Sequence, residues 1–173
     1  MEFQLDQARE VLSTTPDILH AILRGKSAAW LYCRKTAEAF SPADVVGHLS
    51  HGERTNWMPR VEAILQHQDT RAFGGFDRFA FRPLIENKSI DELLDEFTAL
   101  RQQSLAKLQS LQLTDEQLAF PGKHPDLGAV TLSNLLATWV VHDLGHISQI
   151  VKAMANEYRD AVGPWRAYTT ILG

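Results

Sequence analysis

Residues 139–150 read WVVHDLGHISQI. Trp139, Val140, Ile147 and Ile150 recur at helical spacing, yet the same turns carry His142, Asp143 and His146. Burying a polar side chain costs free energy unless it finds a partner, so these three groups need something to bind. Each residue of an α-helix advances by about 100°, which sets His142 and His146 about 40° apart on one face and one turn apart along the axis. Both can reach one ion. Measured around the helix from Leu132, the residues Trp139, His146 and Leu135 fall together on one flank of the apolar stripe, with His142 at its edge and Asp143 near its middle. The two histidines therefore face inward.

The stripe extends in both directions, from Leu132, Leu135 and Leu136 to Val151 and Met154, and predicts a helix from near Thr131 that ends before Gly163 and Pro164. Three further segments show the same period. The first holds Leu5, Val11, Leu12, Ile18, Leu19, Ile22 and Leu23, with Thr15 and Pro16 suited to a cap and first turn, Gly25 to a stop, and a bend expected near Thr14. The second opens at Ser41-Pro42-Ala43-Asp44, where serine caps, proline sits where its missing N–H costs nothing, and aspartate meets the positive helix end. It is predicted to run to about His67, with a kink or break near Pro59. The third opens at Ser89 with Glu92 as its capping-box partner, then shows Ile90, Leu93, Leu94, Phe97, Leu100, Leu105, Leu108 and Leu111 as a plain core face. No useful length alternates as a strand would. The expectation is an all-α four-helix bundle of one domain, residues 1–173, whose segments from Gln68 to Lys88 and from Gln112 to Val130 serve as long crossover connections.

A pair of histidines four apart arises by chance on many helices, and two partly buried rings bonded to backbone or water would explain it. A third candidate on another helix favours a metal. In DVVGHLSHGER, residues 44–54, the stripe of Val45, Val46 and Leu49 places His48 on its flank and points His51 away, so His48 is expected as a ligand and His51 as a solvated residue. Gly52, one turn after His48, leaves room beside the ring for an ion or a substrate group, or else marks close helix packing. Neutral imidazole suits Zn²⁺, Ni²⁺, Cu²⁺ or Fe²⁺, and three of them leave positions open where a structural site would be closed by a fourth protein ligand.

Composition narrows the partners. With 45% hydrophobic and 22% charged residues the chain reads as a globular domain, and its 173 residues suffice for a sizeable core. Seventeen Lys and Arg against twenty-one Asp and Glu give a charge of −4, which opposes nucleic-acid binding. The single cysteine, Cys33, fits a reducing compartment and reads as a small buried residue, although a free thiol can also ligate or attack. No apolar run approaches the roughly 20 residues that span a bilayer, and the start MEFQLDQARE is polar, so a cytoplasmic, membrane-free protein is expected.

The elements SPADVVGHLSHGER, FGGFDRFAF and HDLGHISQI resemble those of the DinB-like superfamily, also called DinB/YfiT-like, over most of the chain. The resemblance implies an up-down-down-up four-helix bundle and a divalent metal held by His48, His142 and His146, with zinc as first expectation and nickel as alternative. In many relatives a tryptophan precedes the serine-proline cap where this sequence has Phe40. Members of that family do not share one reaction: some transfer low-molecular-weight thiols, and others isomerise or hydrolyse small molecules.

A three-histidine zinc site lowers the pKa of bound water from ~15.7 to ~7, or binds a thiolate. Glu53 and Asp143 are the carboxylates expected near such a water, and Asp143 has the further option of accepting from a ligand or pairing with an arginine. Gln149, one turn after His146, is placed to orient that ring or to face solvent. The segment Arg71–Arg82, with Phe73, Phe76, Phe79 and Phe81, is placed to form an aromatic lid with an anion-binding edge or to close a bundle end, and Trp57 and Trp165 to line a pocket or pack. Two functional readings follow: a metal-dependent enzyme acting on a small molecule, as thiol S-transferase or hydrolase, and a non-catalytic metal- or ligand-binding module linked to stress. Bundle faces often pair, which leaves a homodimer open.

Overall fold

Capping chemistry fixes where three of the long helices begin. In the computed structural model, which describes residues 2–172 apart from Lys35 and Ala37, Ser41, Ser89 and Thr131 each accept from the backbone N–H three residues on. The side chains of Asp44, Glu92 and Asn134 accept in return from the cap's own N–H. Such reciprocal boxes satisfy two orphan donors at a helix start. Among the described residues the helices are α1 (Leu5–Leu23), α2 (Ala28–Leu31), α3 (Pro42–Thr55), α4 (Trp57–His67), α5 (Arg82–Ile85), α6 (Ile90–Ser110), α7 (Asp115–Leu118) and α8 (Leu132–Glu157). A two-stranded antiparallel hairpin, β1 (Pro121–His124) and β2 (Gly128–Thr131), leads directly into α8. No helix among the described residues is long and apolar enough to cross a membrane.

Side-chain pairs give the direction of each helix. Arg24 reaches Asp91 and Asp95, His20 reaches Thr98, and the Leu12 carbonyl reaches Arg101, so α1 runs antiparallel to α6. Glu53 pairs with Arg101 and Glu62 with Lys107, so α3 and α4 run parallel to α6. Glu53 meets Trp139, and His48 meets both His142 and His146, so α3 opposes α8. The result is an all-α bundle in the up-down-down-up order, with α1 and α3 each packed on both α6 and α8. One apolar cluster joins Leu19, Leu23, Val45, Leu49, Phe81, Leu94, Phe97 and Ile150; a second joins Leu12, Trp57, Val61, Ile64, Leu108, Leu136 and Trp139.

Arg101 lies between Phe97 and Leu108 on α6, in the middle of the stripe read as a plain core face, and only 1% of it is exposed. Its guanidinium forks onto Asp143 of α8 (Nη1 to Oδ2 2.6 Å, Nη2 to Oδ1 3.1 Å) and donates to Oε1 of Glu53 on α3 from Nη2 (2.8 Å) and Nε (3.1 Å). Nη1 also donates to the Leu12 carbonyl of α1 at 2.8 Å. All five N–H donors of the side chain are thereby used, and its faces rest near Phe97 and Trp139 at 5.0 and 5.2 Å.

Pro16 explains the α1 contact. A start near Thr15 with a bend at Thr14 was the reading of the sequence, but α1 runs through from Leu5 to Leu23 with Pro16 inside it. Proline has no N–H to give to the carbonyl four residues back. That carbonyl is Leu12, and Arg101 supplies the missing donor. The second predicted helix divides at Asn56, three residues before Pro59, because the proline then falls in the first turn of α4, where a missing N–H costs nothing. Gly25 adopts φ +70° and ends α1 as expected. The hairpin was not foreseen: strands of four residues are too short to show an alternating pattern. Cys33 is buried, with Sγ donating to the Trp30 carbonyl at 3.2 Å, whereas Trp165 packs against Tyr168 on the surface and is 72% exposed.

Removing one member of a buried ionic cluster strands the others. Arg101→Ala is expected to lower the unfolding free energy by about 3–5 kcal/mol, read as a fall in the urea midpoint. Adding Glu53→Gln and Asp143→Asn should return part of that loss, because no unpaired carboxylate then remains buried.

Candidate metal centre

The antiparallel pairing of α3 with α8 brings His48 opposite His142 and His146. One nitrogen from each ring lies within 4.8 Å of the others, with His142 Nε2 at 3.3 Å from His48 Nε2 and 3.2 Å from His146 Nε2. Two ligands at 2.0–2.1 Å from one ion at the tetrahedral angle stand about 3.3 Å apart, so both His142 spacings suit a shared divalent ion.

The outer nitrogens set the protonation. His48 Nδ1 faces the Arg78 carbonyl at 3.2 Å and His146 Nδ1 faces Gln149 Oε1 at 2.9 Å. Each of those oxygens can only accept, so the proton sits on Nδ1 and a lone pair on Nε2. Two lone pairs then converge on His142 Nε2, where a single proton can serve only one of them. A cation serves all three, and the residues present therefore fit a divalent ion. Burial lowers the His48 ring from 6.5 to about 3, helped by His146 and His142, and burial with His142 beside it lowers His146 to about 4. Both rings stay neutral near pH 7, the state in which imidazole ligates.

His142 differs from the other two rings. Its Nδ1 is buried without a hydrogen-bond partner and lies 4.0 Å from Asp143 Oδ1, beyond hydrogen-bond reach. The ring stands edge-on to Trp57 at 5.1 Å, and Trp57 stacks on Trp139 at 5.5 Å. The indole occupies the space expected beside Gly52, where an added Cβ would meet Trp57 Nε1 at 3.3 Å. A cavity of about 350 Å³ opens next to His142, between α4, the hairpin and α8.

The match of residues 11–150 to the DinB superfamily takes in all three histidines, Arg101 and both of its carboxylate partners. The chain belongs to the DinB superfamily. Among solved structures, YfiT from Bacillus subtilis, described as a probable metal-dependent hydrolase with an unusual four-helix bundle topology, has the same fold. It aligns with a TM-score of 0.76 at 24% identity, over 89% of this chain and 87% of its own. No curated protein matches the chain.

On this DinB scaffold Glu53 and Asp143 do not reach the centre as free carboxylates. Both side chains are 0% exposed and both are turned onto Arg101. Burial alone would raise the Asp143 carboxyl, but the Arg101 fork outweighs it and holds it below its ordinary value, whereas burial of Glu53 prevails over Arg101 and raises it. The arrangement matches the pairing with an arginine read for Asp143. Glu53 Oε1 accepts from Arg101 and, at 3.2 Å, from Trp139 Nε1, while its Oε2 is buried without a hydrogen-bond partner.

His51 stays outside the cluster as expected but is buried rather than solvated, since Phe76 stacks on it at 5.1 Å. The segment Arg71–Arg82 does lie over the centre: Phe76 approaches His48 at 5.7 Å, and the Arg78 side chain rests on Phe40 and Phe79, each at 5.1 Å. Phe40 itself meets the His48 ring at 5.3 Å. At Gly47 a Cβ would lie 2.6 Å from Ile85 Cγ2 and 2.9 Å from the Phe81 ring, so the covering segment is pressed against α3 one residue before the ligand. The Arg78 carbonyl was missed because a backbone acceptor carries no signature in side-chain identity. Arg101 carried a usable signal: a lone cation four residues after Phe97 and seven before Leu108, in line with the stripe.

Acid should act on the fold through His48 and His146. An unfolded histidine titrates near 6.5, so below that pH the unfolded chain takes up protons that the folded chain refuses, and stability falls as pH drops toward about 4 and then about 3. Melting temperatures of the metal-free protein are expected to decline from pH 7 to pH 4.5, and the slope to flatten in His48→Gln.

Proposed function

We propose that this protein is a metal-dependent enzyme acting on a small molecule, with hydrolysis as the reaction. The observation that carries the reading is the convergence of three imidazole nitrogens beside a cavity, with no fourth protein donor in the cluster among the described residues. His48, His142 and His146 would hold the ion, zinc first and nickel as alternative, by the affinity of imidazole for both. Such an ion supplies Lewis acidity toward a substrate oxygen and lowers the pKa of water. The chain's own part is orientation. The Arg78 carbonyl and Gln149 Oε1 hold the two outer rings in the ligating tautomer. Arg101 fixes the turn of α8 that bears His142 through Asp143, and fixes the indole behind that ring through Glu53 and Trp139. Glu53 and Asp143 are thus positioning residues in this proposal.

Belonging to the DinB superfamily and sharing the fold of YfiT, which is described as a probable metal-dependent hydrolase, support the reading. Metal analysis of the purified protein tests it. About one equivalent of divalent metal is expected in the wild type, with loss in His146→Ala and a 10–100-fold weaker affinity in Gln149→Ala; unchanged metal content in His146→Ala would overturn it. An activity screen with ester, amide and epoxide substrates, with and without low-molecular-weight thiols, then separates hydrolysis from thiol transfer. No metal-dependent turnover in any arm would favour the non-catalytic module.

A further inference from the structure

The cavity beside His142 has a wall chemistry of its own. Its apolar faces are Trp57, Phe73 and Phe76. Asn56 and Trp57 are 7% and 3% exposed, yet Asn56 Oδ1 and Trp57 Nε1 have no hydrogen-bond partner. Trp57 Nε1 lies against Gly52, and both residues present their remaining surface to a cavity large enough for a small ligand.

The cation of this cavity is Arg60, half-buried with its guanidinium 5.2 Å from the Phe73 ring. Its hydrogen bond, to the Gly74 carbonyl, is long at 3.4 Å, and no carboxylate stands within 4 Å of it among the described residues. Burial lowers its pKa, and Asp126 across the rim only partly offsets this. A guanidinium so placed has a fork free for an anion. On the opposite wall His124 Nδ1 accepts from the backbone N–H groups of Asp126 and Leu127 at 3.1 and 3.3 Å. The ring proton is therefore on Nε2, which leaves His124 a donor. The wall is preformed, because the Phe73 N–H donates to the Lys123 carbonyl at 3.0 Å and ties the covering segment to β1.

We propose that this cavity is the substrate pocket of the centre and takes a small, flat aromatic carboxylate. The ring lies among Trp57, Phe73 and Phe76, and the carboxylate meets the Arg60 fork. His124 selects the polar substituents, and the reacting group lies toward His142. The assignment rests on the metal-dependent reading for its chemistry but not for its binding.

Phenylacetate and benzoate, with phenylacetamide, benzamide and benzylamine as controls, test it by calorimetry and by quenching of tryptophan fluorescence, on zinc-loaded and zinc-free protein. The acids are expected to bind at least tenfold more tightly than the amides in both forms. Arg60→Gln should reduce the acids to the amides' level, Arg60→Lys should fall between, and Asp126→Asn should tighten the acids. Equal binding of acid and amide, tighter binding of benzylamine, or an unaltered Arg60→Gln would overturn the proposal. Zinc binding without acid preference would defeat this assignment and spare the metal reading; Arg60-dependent binding by a protein that takes up no zinc would do the reverse.

Discussion

One guanidinium holds the four long helices in register. Arg101 binds a carboxylate of α3, a carboxylate of α8 and a carbonyl of α1, and it comes from α6. Apolar contacts between helices tolerate a slide of part of a turn, because hydrophobic burial has no direction. A buried fork with five directed hydrogen bonds does not. The desolvation such a cluster costs is often as large as its attraction, so its value here is geometric rather than a matter of stability. Asp143 follows His142 directly and Glu53 lies five residues after His48, so the positions that fix helix register are those that bring the three imidazoles together.

Much of this was legible in the sequence, for reasons that can be named. Ser41, Ser89 and Thr131 announced helix starts because capping is local chemistry, satisfied within four residues. His48, His142 and His146 could be picked out because helical periodicity tells which side chains face inward. Prolines were harder to read. Thr15 and Pro16 suit a cap and first turn with a bend near Thr14, yet Pro16 lies inside a continuous helix, whereas the kink or break expected near Pro59 is found at Asn56. What decides the Pro16 case is a partner far away in the chain: Arg101 stands in for the bond Pro16 cannot make. The burial of His51 escaped the sequence for the same reason. A helical wheel shows the face pointing away from the core but not the segment that later folds over it, here Phe76.

The site is assembled from parts of unlike rigidity and unlike origin. The rings come from long helices locked by Arg101, whereas the walls that complete the cavity against α4 and α8 come from the two long connections: Arg71–Arg82 above His48, and the hairpin beside His142. That division places the metal-binding chemistry on the scaffold and the shape of the cavity on segments that can vary without disturbing helix packing. The backbone bond from Phe73 N–H to the Lys123 carbonyl, within a bridge of Ala72 to Lys123, joins the two connections into one wall.

The unequal anchoring of the three imidazoles has an outcome for how the centre responds to a guest. His48 and His146 are clamped through their far nitrogens, while His142, whose Nδ1 has no partner, is backed on its far side by Trp57. The compliant ring is also the one that borders the cavity. Whatever settles there presses on the softest corner of the triad, so occupancy of the hollow and the coordination geometry of the ion are mechanically coupled through one side chain.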